Sequence, residues 1–236
     1  MSIREFEERI RSSVDEIINK IINDNKKPNI IGKARLGAQI SDFLEDKFIK
    51  YSKSDVNIIN AIGAPKENTK SSFDIKFNFK YKGITELIWI DFKAINEGSL
   101  DSNPDIGAAN KVISFIKQGN FYILYVYVYY KNNNDGNVEF VSNNNGKFTK
   151  QYFLKDIEKT FRRTPTGQLQ VNANSVSEYR TREEFINLFF QKVEESHKRS
   201  IKKSNEMLKS LSQIKLEIIE KNKALEKSIL NKLNEN

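Results

Sequence analysis

The sequence predicts an α/β fold, in which helices flank a mixed β-sheet and a long helix follows at the C-terminus. Two N-terminal stretches have apolar residues at helical spacing. The middle of the chain has alternating or continuous apolar runs rich in aromatic and β-branched residues. Residues 182–233 contain neither proline nor glycine, which favours one uninterrupted helix. We therefore expect one domain over residues 1–195 and a basic helical arm over residues 196–236.

The first half of the chain should form two helices and then a hairpin. Apolar residues recur every three or four positions over 3–24 and again over 34–52, whereas residues 53–72 look like a loop. Two alternating runs, 74–81 and 84–92, flank the dipeptide Lys82-Gly83. Because glycine adopts positive φ readily, this dipeptide favours a two-residue hairpin turn.

The second half should contribute a helix and three strands. Asn103-Pro104 is typical of a helix start and predicts a helix over 104–118. The apolar and aromatic run 121–130 predicts a buried central strand. Short strands near 137–142 and 148–154 follow, and 161–180 looks like a basic loop. In the C-terminal arm, apolar side chains approach a heptad pattern that Lys221 interrupts; the alternative is a helix packed on its own domain. The apolar side chains of this pattern are Leu211, Ile214, Ile218 and Leu225.

Composition narrows the chemistry that this chain can perform. It has no cysteine and a single histidine, His197, which excludes disulfides, thiolate nucleophiles and sites built from several histidines. The net charge of +8 among 236 residues favours a polyanionic partner such as nucleic acid. No apolar run reaches the roughly 18 residues of a membrane helix, and the charged N-terminus does not look like a signal peptide, so we expect a cytoplasmic protein.

The strongest chemical pattern lies in the second strand of the predicted hairpin. Trp89, Asp91 and Lys93 alternate with apolar residues, so the carboxylate and the ammonium group should share one face, about 7 Å apart along the strand. With a turn at Lys82-Gly83, the register places Asp74 directly opposite Asp91 and pairs Phe73 with Phe92. Two facing carboxylates repel each other unless a cation lies between them. The pattern therefore predicts Asp74 and Asp91 as ligands of Mg²⁺ and Lys93 as the group that assists the attacking water.

At these residues the sequence resembles known nucleases. Asp74 with Asp91-Phe92-Lys93 resembles the PD-(D/E)xK nuclease signature, although Phe73 replaces the usual proline. A wider resemblance, to type II restriction endonucleases of the SwaI kind, extends to about residue 195. It is carried by NIIGK at 29–33, SD at 41–42, LED at 44–46, GAPKE at 63–67, IWIDFKA at 88–94, DSNPDIG at 101–107 and YRTREEF at 179–185.

This resemblance implies a PD-(D/E)xK nuclease-like sheet and a bacterial homodimer. Each subunit would cut one strand of double-stranded DNA with Mg²⁺, at an eight-base palindrome of A and T such as ATTTAAAT. A DNA methyltransferase would accompany the enzyme. Two alternatives stay open: a structure-specific nuclease on the same fold, and a DNA- or RNA-binding protein without catalysis in which Asp-Phe-Lys is accidental.

Several other residues are candidates for the site. Glu45, on the second helix, is a candidate third metal-binding acid, or else part of a solvated helix face. Basic side chains in the second half of the chain should neutralise phosphates, and amides between them suit recognition of adenine. The cations are Lys147, Lys150, Lys155, Lys159, Arg162, Arg163, Arg180 and Arg182; the amides are Gln168, Gln170, Asn172 and Asn174.

Overall fold

The computed structural model describes residues 1–30, 36–65, 73–99, 102–133, 136–143 and 145–234. Parts of the segments that carry the resemblance, at 31–33, 66–67 and 101, lie outside these residues. The helices are α1 (Ile3–Asp24), α2 (Leu36–Tyr51), α3 (Ala109–Lys117) and α4 (Arg182–Asn234). The strands are β1 (Ile58–Gly63), β2 (Ile75–Tyr81), β3 (Ile84–Asn96), β4 (Asp105–Ala108), β5 (Tyr122–Asn132), β6 (Val138–Phe140), β7 (Thr149–Phe153), β8 (Arg162–Arg163) and β9 (Gln168–Gln170).

The main sheet is mixed, as the sequence predicts. Its order is β1-β2-β3-β5-β6, and β7 also pairs with β5. Strands β3 and β5 are parallel, whereas the other pairs are antiparallel. The first nine residues of β5 are all buried, which is the pattern of a strand covered on both faces. The α/β architecture with a long C-terminal helix is confirmed.

The hairpin between β2 and β3 forms in the predicted register. Pairs run from Ile75 opposite Ile90 to Tyr81 opposite Ile84. Both turn residues have positive φ, 48° at Lys82 and 82° at Gly83, as a two-residue turn of the I′ type requires. The turn residues and the alternation of polar and apolar side chains therefore specify the same register. This register fixes which side chains of β3 share a face.

Two apolar layers cover the two faces of the main sheet. On one face, α1 and α2 pack against side chains of β2, β3 and β5 that include Ile90 and Phe92. On the other face, α3, the first turns of α4 and a small sheet of order β4-β9-β8 pack around Tyr125 and Tyr127. Asp91 and Lys93 belong to this second face, because they alternate with Ile90 and Phe92 along β3.

Three elements differ from the expectations. The predicted loop 53–72 contains β1, and the predicted loop 161–180 contains β8 and β9. The predicted helix 104–118 begins only at Ala109, because Asp105 and Ala108 pair with β9 and bury Ile106 between them. In each case pairing with another strand outweighs the local pattern, and Asn103-Pro104 precedes a strand rather than a helix.

Helix α4 runs unbroken through the expected boundary at residues 195 and 196. Phe185 and Phe189 are buried against the domain, and Ser196 is the last buried residue of the helix. From Ile201 to the end of α4 every residue is exposed. Among the described residues, none of the helices is long and apolar enough to span a membrane.

Candidate active site

A cleft of about 460 Å³ opens between the main sheet and the layer formed by β4, α3 and β9. One wall consists of side chains from β3, β5 and the chain entering β2, and the other comes from residues 105–112 and from β9. The polar and charged side chains that line it are Asp74, Asp91, Lys93, Asp105, Lys111, Tyr125 and Gln168. The structure therefore brings the three residues of the predicted catalytic core into one cleft.

Asp91 and Lys93 form an ion pair on the face of β3 that lines the cleft. The Nζ atom of Lys93 lies 2.8 Å from Oδ1 of Asp91. The backbone of β3 is held here by parallel pairing with β5, in which Asp91 lies beside Tyr125 and Lys93 beside Tyr127. A carboxylate and an ammonium group are thus placed on a rigid central strand rather than on a loop, which suits precise positioning of reacting groups.

Asp74 reaches the cleft through a local departure from the hairpin. Regular pairing ends at Ile75 and Ile90; the backbone N–H of Asp74 donates to the carbonyl oxygen of Ile90 (2.9 Å). The N–H of Phe92 donates to the carboxylate of Asp74 (2.6 Å). Phe73 packs on Trp89, with ring centroids 5.1 Å apart. The expected pairing of Phe73 with Phe92 is therefore wrong, because the bend at Asp74 turns Phe73 to the opposite face.

Burial and like charge make the two carboxylates hard to ionise together. Burial, followed by repulsion from Asp91, raises the pKa of Asp74 to about 7. Burial also raises the pKa of Asp91, although Lys93 opposes the shift. Burial lowers the pKa of Lys93, but attraction to Asp91 and Asp74 raises it overall. A pair of buried carboxylates with raised pKa values is a frequent feature of catalytic and cation-binding sites.

The donor set fits a hard divalent cation. Two carboxylates supply oxygen ligands, and Mg²⁺ binds through one or two carboxylates while it keeps waters and substrate phosphate oxygens in its remaining positions. Within the described part of the chain, no group of three His, Cys, Asp or Glu side chains is arranged as a ready-made metal cage. Two carboxylates in one cleft suit an ion that shares its coordination between protein and substrate.

The family of the chain follows from its sequence. It matches the model of the SwaI-like family, described as SwaI restriction endonuclease, over residues 2–211. This chain belongs to the SwaI-like restriction endonuclease family. It is therefore a site-specific deoxyribonuclease that acts on double-stranded DNA. The solved structure of NlaIV restriction endonuclease is similar with a TM-score of 0.49 and 15% identity, over 75% of this chain and 78% of that chain. No curated protein sequence matches this chain.

In this restriction endonuclease, Glu45 approaches the site from α2, across β1. A Cβ atom at position 63 would overlap the carboxylate of Glu45 and lie 3.2 Å from Cδ1 of Ile49. The charge of Glu45 contributes to the raised pKa of Asp74. Gly63 lies next to Asp74, since the N–H of Ala64 donates to the Asp74 carbonyl (2.8 Å). The missing side chain at Gly63 therefore lets a third carboxylate come close to the pair.

Gly63→Ala should impair cleavage without unfolding the enzyme. The added methyl group displaces the flexible end of Glu45, so we expect a loss in cleavage rate of about tenfold or more, as when a group supporting a metal site is removed. Glu45→Gln should cause a similar loss, and the double variant should be no worse than either. Gly37→Ala is the control, because nothing lies within 4 Å of a Cβ there. Fully additive losses would contradict this role of Gly63.

The pKa of Asp74 predicts how the stability of the metal-free enzyme depends on pH. Its folded-state pKa of about 7 lies above the ordinary 3.8, so the native state holds a proton that the unfolded chain loses. The free energy of unfolding should fall as pH rises from about 4 to about 7, by on the order of 4 kcal/mol for this group. Urea unfolding in EDTA at several pH values measures it. Asp74→Asn should show a flatter dependence, and an unchanged slope would contradict the prediction.

The amides predicted to contact DNA lie along one strand-like segment. Gln168, Gln170 and Asn172 alternate with Leu169, Val171 and Ala173, which are buried. Gln168 lines the cleft, and Nε2 of Gln170 donates to Asp105 (2.8 Å). The structure therefore places the three amides on the side of the β9 segment away from the core, beginning at the cleft that Asp74, Asp91 and Lys93 line.

The predicted basic group separates into exposed and buried members. Arg162 is exposed beside Gln170, whereas Arg163 donates to the hydroxyl of Ser196 on α4 (3.2 Å). Arg182 is half-buried and pairs with Glu86. Lys150 is half-buried and donates to the carbonyl of Ala173.

Two members of the group lie in the interior, which corrects the prediction of one DNA-binding surface. The Arg180 guanidinium donates to the carbonyl of Ile157 and to Glu178. Lys155 is 1% exposed and pairs with Glu7 at 2.9 Å. Both side chains already have partners inside the protein, so they tie the segment before α4 to the domain rather than contact DNA.

Lys111 and Asp105 were not predicted as site residues, yet both line the cleft. Lys111, in the first turn of α3, lies close enough to Asp91 to favour its ionised form. The negative charge of Asp105 likewise favours the charged form of Lys93 and raises its pKa. Only the pairing of β4 with β9 brings them here, and no local pattern around either residue distinguishes it from an ordinary surface charge.

Proposed function

We propose that this restriction endonuclease hydrolyses both strands of a palindromic DNA site with Mg²⁺, as a member of the PD-(D/E)xK superfamily. Asp74 and Asp91 would hold the ion, with Glu45 in support. The observation that carries the proposal is the Asp91–Lys93 ion pair beside buried Asp74 in one cleft. Bound Mg²⁺ would polarise the phosphodiester and lower the pKa of a coordinated water.

Other groups of the chain would orient the attacking water, present a ligand oxygen to the metal ion and exclude bulk water. Lys93 is held in its charged form by Asp91 and Asp74, so its ammonium group can orient the attacking water and stabilise charge that develops on the phosphate. The bend at Asp74 presents one carboxylate oxygen to the N–H of Phe92, which leaves the other oxygen available as a ligand. The apolar wall formed by Ile123 and Val112 limits water around these charges and strengthens their interactions.

Lys111 should contact a phosphate next to the scissile bond. We expect Lys111→Met to lower the cleavage rate about 10- to 100-fold and to reduce the salt dependence of DNA binding by roughly one phosphate contact. Lys117→Met is the matched control, because Lys117 lies on the same helix and is exposed. Single-turnover cleavage and binding at several salt concentrations measure the effects; equal behaviour of the two variants would exclude this role.

Sequence recognition would come from the amides of the β9 segment. Glutamine and asparagine side chains pair in bidentate fashion with adenine, so Gln168, Gln170 and Asn172 suit a site composed of A and T. Arg162, Arg163 and Arg182 would contact phosphates. The resemblance favours an eight-base palindrome such as ATTTAAAT, which a homodimer in the bacterial cytoplasm would cut while a cognate methyltransferase protects the host DNA.

Digestion of a large DNA of known sequence, with Mg²⁺ and with EDTA, tests the proposal. We expect discrete fragments whose sequenced ends share one palindrome of A and T, and only when the metal is present. Ends with other shared palindromes would overturn the proposed specificity but keep the mechanism. Preference for branched DNA would indicate a structure-specific nuclease, and metal-independent binding without cleavage would indicate a binding protein.

A further inference from the structure

Within the part of the chain that the structure describes, the distal part of α4 is exposed along its whole length. All residues from Ile201 to Asn234 are exposed, and at 1.5 Å per residue they extend about 50 Å. The family match ends at residue 211, so most of this projection is a feature of this chain beyond the family model. The alternative of a helix packed on its own domain is therefore wrong for the described residues beyond 200.

Apolar side chains on this projection follow a seven-residue repeat. One row takes the a position of the heptad, and a second row, three residues later, takes the d position. Six of the ten a and d positions are apolar and between 52% and 62% exposed: Ile201, Leu208 and Ile229 at a, and Leu211, Ile218 and Leu225 at d. The other four are polar: Lys215 and Asn222 at a, and Ser204 and Lys232 at d. A strict seven-residue repeat matches a partner helix in a left-handed supercoil, because a straight helix has 3.6 residues per turn. The projection thus has the pattern of one strand of a coiled coil.

We propose that this seam pairs with the same segment of a second copy of the chain, as a parallel, in-register two-stranded coiled coil. Asn222 occupies an a position, where it would meet Asn222 of the partner subunit. A single buried asparagine at a favours this register and two strands. This register differs from the one first suggested by the sequence, in which Lys221 falls in the seam. Here Lys221 lies at g, beside the seam, and would face Glu226 of the partner subunit at e, so these two charges are complementary.

The positions of the other charges favour a second copy over DNA as the occupant of the seam. Lys202, Lys209 and Lys223 lie at b positions, off the seam, and would remain in solvent around a two-stranded coil. A self-complementary seam also suits the two-fold symmetry of a homodimer. Lys215, at a, costs some stability, although its aliphatic stem can lie along the seam with its charge in water. We therefore expect the coiled coil to hold the dimer together with contacts between the two nuclease domains, and not by itself.

The inference rests on the proposed homodimer, since it names the segment that joins the two copies. The chain has no cysteine. A disulfide that forms after one cysteine is introduced must therefore join that position in two copies of the chain. Leu225→Cys places a thiol at d, where a parallel coil brings the two copies within disulfide range. Gln213→Cys places it at f on the outer surface. Under mild oxidation of the full-length enzyme without DNA, Leu225→Cys should cross-link at least tenfold faster than Gln213→Cys.

The mass of the unmodified chain in solution tests the proposed homodimer separately from the proposed coiled coil. A dimeric mass with equally slow cross-linking of both variants would overturn the coiled coil and leave the proposed homodimer intact. A monomeric mass together with slow cross-linking would overturn both. Rapid cross-linking of Leu225→Cys that occurs only with DNA would overturn pairing of the free chain and make DNA the partner that aligns the helices.

Discussion

Replacing Asp91 by asparagine should lower the rate of DNA cleavage by about 10³-fold or more, equivalent to about 4 kcal/mol of transition-state stabilisation. The amide keeps the shape of the side chain but removes the charge that pairs with Lys93 at 2.8 Å and that would hold the metal ion. Binding of cognate DNA should change by only a few fold, because the loss is specific to the reaction. Single-turnover cleavage at saturating enzyme, together with binding in the absence of divalent cation, separates the two.

Glu16→Gln provides the matched control for Asp91→Asn. It removes the same charge from an exposed position on α1 and should leave the cleavage rate within about twofold, as expected for an exposed site without special contacts. Thermal unfolding of both variants checks that the domain is intact. Cleavage by Asp91→Asn within tenfold of the original enzyme, with an unchanged dependence on Mg²⁺, would refute the assigned role of Asp91.

Lys155→Met should lower the free energy of unfolding by about 3–5 kcal/mol, as for other buried ion pairs that lose one partner. The ammonium group of Lys155 joins three parts of the chain: Glu7 on α1 at 2.9 Å, Asp156 at 2.7 Å, and the carbonyl oxygen of Arg180 at 2.7 Å. The substitution leaves the carboxylate of Glu7 buried and without its cation. Urea unfolding at pH 7 measures the loss.

Two further variants test whether the cost comes from the uncompensated charge. Adding Glu7→Gln to Lys155→Met should recover part of the lost stability, because the double variant buries one carboxylate fewer. Lys159→Met, at an exposed position four residues away, should stay within about 0.5 kcal/mol of the original enzyme. A loss below 1 kcal/mol for Lys155→Met would show that the cluster is dispensable for folding.

The hairpin of β2 and β3 could be predicted because its determinants are local. The turn at Lys82-Gly83 and the alternation on either side set the register, and the register places Asp91 and Lys93 on one face. The bend at Asp74 could not be predicted in this way, because it depends on the N–H of Phe92, eighteen residues along the chain. The sequence thus predicts that Asp74, Asp91 and Lys93 come together, which the cleft bears out, but not how Asp74 approaches the other two.

The second wall of the cleft was missed for a related reason. The segment from Gln168 to Ala173 does alternate polar and apolar residues, but β9 has only three residues and pairs with β4, about sixty positions earlier. Without that pairing, residues 161–180 have the composition of a loop, and Lys111 and Asp105 have no visible connection to Asp91. Burial of Lys155 and Arg180 is equally non-local, since α1 supplies the Glu7 carboxylate that pairs with Lys155.

Segment β9 has one further consequence, for the timing of recognition and reaction. Gln168 touches the cleft, while Gln170, two residues away, holds Asp105 at its rim. If these amides contact bases, any shift of β9 that improves their fit also displaces a wall beside Lys93. Correct and incorrect sequences would then differ in how well the reacting groups are aligned as well as in how tightly they bind. Sequence recognition and cleavage of the DNA would then be coupled through the three residues of β9, Gln168 to Gln170.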